Sequence, residues 1–308
     1  MISIYNPLPI TNDLTSRIAD MALISLLLAL LIERIIHLNA RFQLDDALQR
    51  YLYPLLPSFV TKGIAATFLV LAIPTALLYS LLDALNGLYY GLFTMLTWLL
   101  LLLMSFGGTD HRRDYRKYLK ALSRNDLKAK DMYASCLDVN SANFCPSLLT
   151  QAVGKQLVWI NYRFYFAVIF YFVLLGPVGL MFYVAARSYH QYITQLHTQH
   201  TQQTQHLNHC GIHRIMRFID WLPARITMLG YALVAEEQAA LPKSLQSWHN
   251  FSTPEFELLG QVVYVASQTN VATDKCYDYT CYLVQLAKRN IILFMTVISL
   301  LTINGTIF

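Results

Sequence analysis

The sequence predicts an all-α, polytopic membrane protein, and three observations carry that prediction. Charge is scarce: 13% of the 308 residues are Asp, Glu, Lys or Arg, against 56% hydrophobic, with a mean hydropathy of +0.40. A water-soluble domain needs about a quarter of its residues charged to solvate its surface. The apolar excess is also gathered into runs, and a spanning helix needs about 20 lipid-compatible residues in a row. Finally, the basic residues crowd beside some of these runs and avoid others, the asymmetry that bilayer topology imposes.

Each element follows from the same reasoning. The first span is expected over about 18–36, chargeless from Met21 to Ile32 with Glu33-Arg34 near its inner end. The second covers 63–82, where neighbouring helices or a local kink accommodate Pro74. Asp83, Asn86 and Gly87 suggest a tight hairpin into a third span over 84–108. Arg34, Arg41, Arg50 and Lys62 lie between the first two spans, and a basic run from Arg112 to Lys130 lies in the polar helical loop 109–156. The Asp83 hairpin has none, so positive-inside counting makes both basic segments cytoplasmic and the amino terminus periplasmic. The run 157–186 is either one kinked span or a hairpin, since Gly176-Pro177-Val178-Gly179 permits both; the hairpin keeps Arg187, Arg214, Arg217 and Arg225 inside. His190 to His213 reads as a polar linker, 226–235 as a re-entrant or interfacial helix, 236–288 as amphipathic helices and 290–307 as a last span.

The formal net charge of +5 is explained by topology and requires no nucleic-acid partner. The opening stretch has neither a charged n-region nor an apolar h-region, so no cleavable signal is expected. Five cysteines, odd in number and scattered, fit reduced thiols facing the cytoplasm.

Several blocks in order resemble the AmpE family of inner-membrane proteins. They are Leu31-Ile32-Glu33-Arg34 with Gln43-Leu44-Asp45, Tyr118-Leu119 with Ser123-Arg124-Asn125-Asp126, the run Trp159 to Tyr165, Asp220-Trp221-Leu222-Pro223-Ala224-Arg225, and Lys288 before the last span. The resemblance covers essentially the whole chain. It implies a regulatory signalling modulator of the bacterial inner membrane, linked to β-lactamase induction and peptidoglycan-fragment sensing. The family is in turn distantly similar to cobalamin-pathway membrane synthases of the CobD/CbiB type, which form an amide bond with ATP. Here the acidic run of those synthases is replaced by Ile160 to Tyr165, and a later Asp-containing segment by Ala185-Ala186-Arg187-Ser188. Carboxylates that would hold Mg-ATP are thus missing at these places, which argues against a ligase and for a protein without a cofactor.

The blocks also supply candidate ligand-binding residues. Ser123 with Asp126 fits a capping box, while Arg124, Asn125 and the free N–H groups of the helix that follows could hold an anion. Asn161 and Arg163 sit at the mouth of an apolar run, where an ionisable group usually serves function or a buried partner; Glu33, near the same boundary, is the natural partner. Asp220 reads as an N-cap, Pro223 as a helix-starting proline, and Arg225 as a first-turn cation that opposes the macrodipole and needs an acid, an anionic ligand or a lipid phosphate. His206, His209, Cys210 and His213 share a helical face, but a polar linker explains that stretch without a metal. These readings leave a noncatalytic signalling or accessory protein that binds an anionic small molecule or phospholipid and meets a cytoplasmic protein partner. An amide-forming synthase and a transporter remain as alternatives.

Overall fold

A computed structural model of the chain describes residues 9–35, 43–53, 63–85, 91–107, 109–124, 126–139, 146–200, 211–235, 240–248, 253–267 and 276–304. Among them every regular element is helical: α1 (Pro9–Ile35), α2 (Leu44–Ala47) running into a π-helical turn (Leu48–Leu52), α3 (Ile64–Leu85), α4 (Leu92–Ser105), α5 (Thr109–Ser123) and α6 (Leu127–Cys136). Then come α7 (Pro146–Asn161), a second π-helical turn (Tyr162–Phe166), α8 (Ala167–His200), α9 (Gly211–Val234), α10 (Ala240–Trp248), α11 (Glu255–Ser267) and α12 (Cys276–Ile303).

Three stretches among the described residues are long and apolar enough to cross a membrane: Ile64–Leu85, Leu148–Leu196 and Tyr279–Ile303. Their outward faces carry large apolar side chains, Phe68, Leu69 and Leu77 on α3 and Ile292, Val297 and Leu300 on α12. Water would penalise such continuous apolar surface, whereas lipid accepts it. The chain is a helical membrane protein. The expected third span is shorter than its chargeless run: α3 continues through Asp83 to Leu85, and α4 has 14 residues, about 21 Å of helix.

Between Leu148 and Leu196 the chain reverses. Gly176 sits at φ +69°, a left-handed conformation that glycine reaches without steric cost, and Pro177 follows it. The rings of Tyr171 and Tyr183 stack at 4.9 Å across the turn. Arg187 Nη1 donates to the carbonyl of Arg163 at 2.8 Å, although the two residues are 24 apart in sequence. On a straight helix that separation would be about 36 Å. The two limbs are therefore an antiparallel hairpin rather than one kinked rod.

Around this hairpin α3 packs on the second limb, α9 on α8 and α3, α12 on α7 and α9, and α11 on α7 and α9, while α1 pairs with α4. The core is aromatic, with Tyr53, Tyr118, Tyr162, Tyr183, Phe106, Phe166 and Phe172 almost wholly buried. The stretch expected as a polar linker from His190 to His213 is helical over 190–200 and 211–213. His206, His209 and Cys210 lie outside the described residues.

A polar centre at the base of the hairpin

The π-helical turn Tyr162–Phe166 is the hub of the site. A π turn sets backbone groups out of the i→i−4 ladder, and the carbonyl of Arg163 takes hydrogen bonds from Arg187 Nη1 at 2.8 Å and the Tyr183 hydroxyl at 3.3 Å. Arg187 is fully buried. Its Nε and Nη2 reach the two oxygens of Asp45 at 3.2 and 2.5 Å, and Nη2 also donates to the Ser105 carbonyl at 3.2 Å. Phe164 covers the guanidinium face at 4.3 Å. Ser188 Oγ donates to the Asp45 carbonyl at 3.0 Å, so α2 is bolted to the second limb. Sequence reasoning placed Asp45 in a family block and Arg187 at the end of a chargeless run without pairing them. Nothing in the spacing joins residues 142 positions apart.

The second wall is α9, and here two sequence expectations are corrected. Asp220 is not an N-cap and Pro223 does not start a helix, because both lie in the interior of α9. Pro223 has no N–H to offer the carbonyl four residues back, that of Ile219, and its ring also loosens the neighbouring turn. The Tyr171 hydroxyl fills the first vacancy, donating to Ile219 O at 2.7 Å. The Tyr162 hydroxyl contacts Asp220 O at 3.2 Å and donates to Asp220 Oδ1 at 2.8 Å. Tyr171 thus stands in for the missing helix donor, while Tyr162 holds the adjacent turn through the Asp220 carboxylate. Arg225, also mid-helix and fully buried, spends Nε on the Trp248 carbonyl and Nη1 on the Trp221 carbonyl, both at 3.1 Å, with its plane over Trp221 at 4.8 Å. This geometry ties α9 to α10, and Glu255 is the acid whose charge favours the cation.

Arg163 differs from these two arginines. It is half-buried at the junction with Asn161, also half-buried, and its guanidinium lies over Trp159 at 5.6 Å. Its Nε is buried and has no hydrogen-bond partner among the described residues. No carboxylate among them forms an ion pair with it; Asp220 feels its charge only through space. The imidazoles of His190 and His213, close enough to sense one another, meet at 2.8 Å beside it. The expected Glu33–Arg163 pair does not form. Glu33 Oε1 instead accepts from Arg112 on α5 and from Tyr165 Oη at 2.9 Å, so it clamps α1 and α5 to the π turn.

Ser123 does not cap α6. Its hydroxyl turns back to the Lys120 carbonyl at 3.0 Å, and Asp126 is the cap, accepting from Ala129 N–H at 3.1 Å. Ser123, Arg124 and Asp126 are exposed, Asn125 lies outside the described residues, and the hydrogen bonds of Ser123 and Asp126 stay within their own turns. No three His, Cys, Asp or Glu side chains among the described residues group as a metal would require.

Asp220 is 3% exposed, and burial pushes its carboxyl up to about 6 against the opposing pull of Arg163 and of the Tyr162 hydrogen bond. The folded chain then holds this proton more tightly than the unfolded one, whose aspartate titrates near pH ~4. This group's contribution is fully present below that pH and is lost as pH rises through about 6. The melting temperature in detergent should fall over that window more steeply in the wild type than in Asp220→Asn, which keeps an acceptor for Tyr162. Parallel curves for the two proteins would refute the assignment.

Four sequence-distant blocks, around Glu33, Asp45, Trp159 to Tyr165 and Asp220, therefore meet at one π turn. The sequence model of a family described as regulatory signalling modulator protein AmpE matches residues 21–308. The chain belongs to the AmpE family. It is 29% identical over 293 residues to Protein AmpE of Shigella flexneri, a match spanning 93% of this chain and 100% of that protein. No solved structure matches. Membership of the AmpE family makes regulatory signalling the class of role for this membrane protein.

Proposed function

We propose that the protein is a noncatalytic, multi-pass regulator of the bacterial inner membrane, with its amino terminus periplasmic, that senses an anionic small molecule or phospholipid at Arg163. Peptidoglycan-derived fragments are the ligand class that a role in β-lactamase regulation supplies. A cytoplasmic protein would read the outcome from the basic α5–α6 face.

One observation carries this reading. In a polar centre where Arg187 and Arg225 have spent their donors on protein oxygens, the buried Nε of Arg163 has no acceptor among the described residues. A buried guanidinium donor without an acceptor forfeits a charge-assisted hydrogen bond, and an incoming anion restores it. Asn161, Asp220 and Pro223 belong to the wall of the same centre.

Arg163→Gln is the test, read by β-lactamase induction in the host and by anion binding to purified protein. A lost charged hydrogen bond is worth about 1.5–3 kcal/mol, so affinity should fall by roughly ten- to a hundredfold while the melting temperature stays close to wild type. Full binding and full induction in the variant would defeat the reading.

A further inference from the structure

The charges around Arg163 constrain what can enter. Arg163 and Asp220 together sum to zero, and the other charged side chains facing Asp220 are Glu255 from α11 and Arg187 from the second limb. Arg187 is already neutralised by Asp45, and the charge of Glu255 is met by Arg225, with Arg217 acting on it from the exposed face of α9. The remaining groups are the hydroxyls of Tyr162, Tyr171 and Tyr183 and the His190–His213 pair, whose 2.8 Å contact needs one bare ring nitrogen. From α3, residues 64–82 bring no charge at all. Above about pH 6, where Asp220 is ionised, the buried charges of the centre therefore cancel before any ligand arrives.

A monoanion added to a neutral, largely buried centre leaves one negative charge uncompensated in low dielectric. Taking up a proton removes that penalty. Asp220 is the group placed to accept it: its carboxylate has no ion-pair partner among the described residues, it sits one through-space step from Arg163, and Tyr162 holds one oxygen and leaves the other for a proton. We propose that a monoanion binding at Arg163 is taken up together with one proton from solvent, which the Asp220 carboxylate accepts. The inference rests on Arg163 being the anion site, and it assigns that site a proton-coupled affinity. The chemistry recognised is a singly charged phosphodiester or carboxylate, on a soluble molecule or a lipid.

The test uses the full chain in neutral phosphatidylcholine nanodiscs and two probes whose charge is constant from pH 5 to 8: dimethyl phosphate and short-chain phosphatidylglycerol. Binding is followed by tryptophan fluorescence, because Arg163 lies over Trp159. Wild-type affinity should weaken by up to about tenfold per pH unit above pH 6, with about one proton taken up per anion in weak buffer. Asp220→Asn should bind with no pH dependence, at least as tightly at pH 8 as the wild type at pH 6, and take up no proton. Which probe binds tells a soluble ligand from a lipid; either supports the coupling.

Wild-type binding without a pH slope overturns the coupling and leaves the anion site standing. A slope that survives in Asp220→Asn and vanishes in His190→Gln overturns Asp220 as the carrier. If neither probe binds wild type at any pH, the anion site and the inference fall together. Should Asp220→Asn fail to fold, the wild-type proton count decides alone, since zero protons per bound anion refutes the proposal.

Discussion

Asp45→Ala is expected to cost about 3–5 kcal/mol, enough to strip a membrane protein of marginal stability of its folded state in detergent. The substitution leaves the fully buried Arg187 guanidinium with two carbonyls and no counter-charge, and it leaves the Ser188 bond to the residue-45 carbonyl to hold α2 to the second hairpin limb without the ion pair. The loss should appear as a large drop in melting temperature and as aggregation on size-exclusion chromatography. Because the expense lies in stranding a charge, removing both partners is milder than removing one. Asp45→Leu combined with Arg187→Met should recover much of the loss. A double variant as damaged as the single one would show that the pair does something other than neutralise itself.

Glu33→Ala is expected to cost about 2–3 kcal/mol, from two hydrogen bonds to an ionised carboxylate. Tyr165 loses the acceptor of its buried hydroxyl, and α5 loses its tie to α1. The effect is smaller than at Asp45 because the Arg112 side chain is 38% exposed and can turn to water. Glu33→Gln keeps an acceptor for Tyr165 but not the charge, so its melting temperature should fall between those of wild type and Ala. If Glu33→Ala melts with the wild type, the clamp is dispensable.

How much of this was legible in the sequence depends on the range of the interaction. Spans were legible because lipid imposes a local rule, a chargeless run of sufficient length, and α3 and α12 obey it directly. The reversal at Gly176 was legible only as an option. A Gly-Pro pair allows both a bend and a turn, and what settles it, the Tyr171–Tyr183 stack and the Arg187 bond to Arg163 O, is tertiary. Asp220 and Pro223 were misplaced for a related reason. The local signature of an N-cap and first-turn proline is the same whether a helix begins there or is mended by an outside donor, and the mender Tyr171 is 48 residues from the Ile219 carbonyl it serves. The capping of α6 was off by one short step, since Asp126 and Ser123 are both good caps and the end of α5 claims Ser123. Arg163 stood out in the sequence as a charge at an apolar mouth. What the sequence could not supply was the contrast with Arg187 and Arg225, which shows that this arginine alone of the three keeps a buried donor in reserve.

A segment that doubles back contributes an even number of crossings, or none, to the path of the chain. Leu148 and Leu196 are therefore expected in one compartment, and with Leu196 the approach to α9. Epitopes placed in the segments before α7 and after α8 should be labelled from one side only. Labelling of both from one face would put the arginine-rich helix α5 and the helix that carries Asp220 in one compartment, so that a message passing between them would travel sideways along one leaflet without traversing the bilayer.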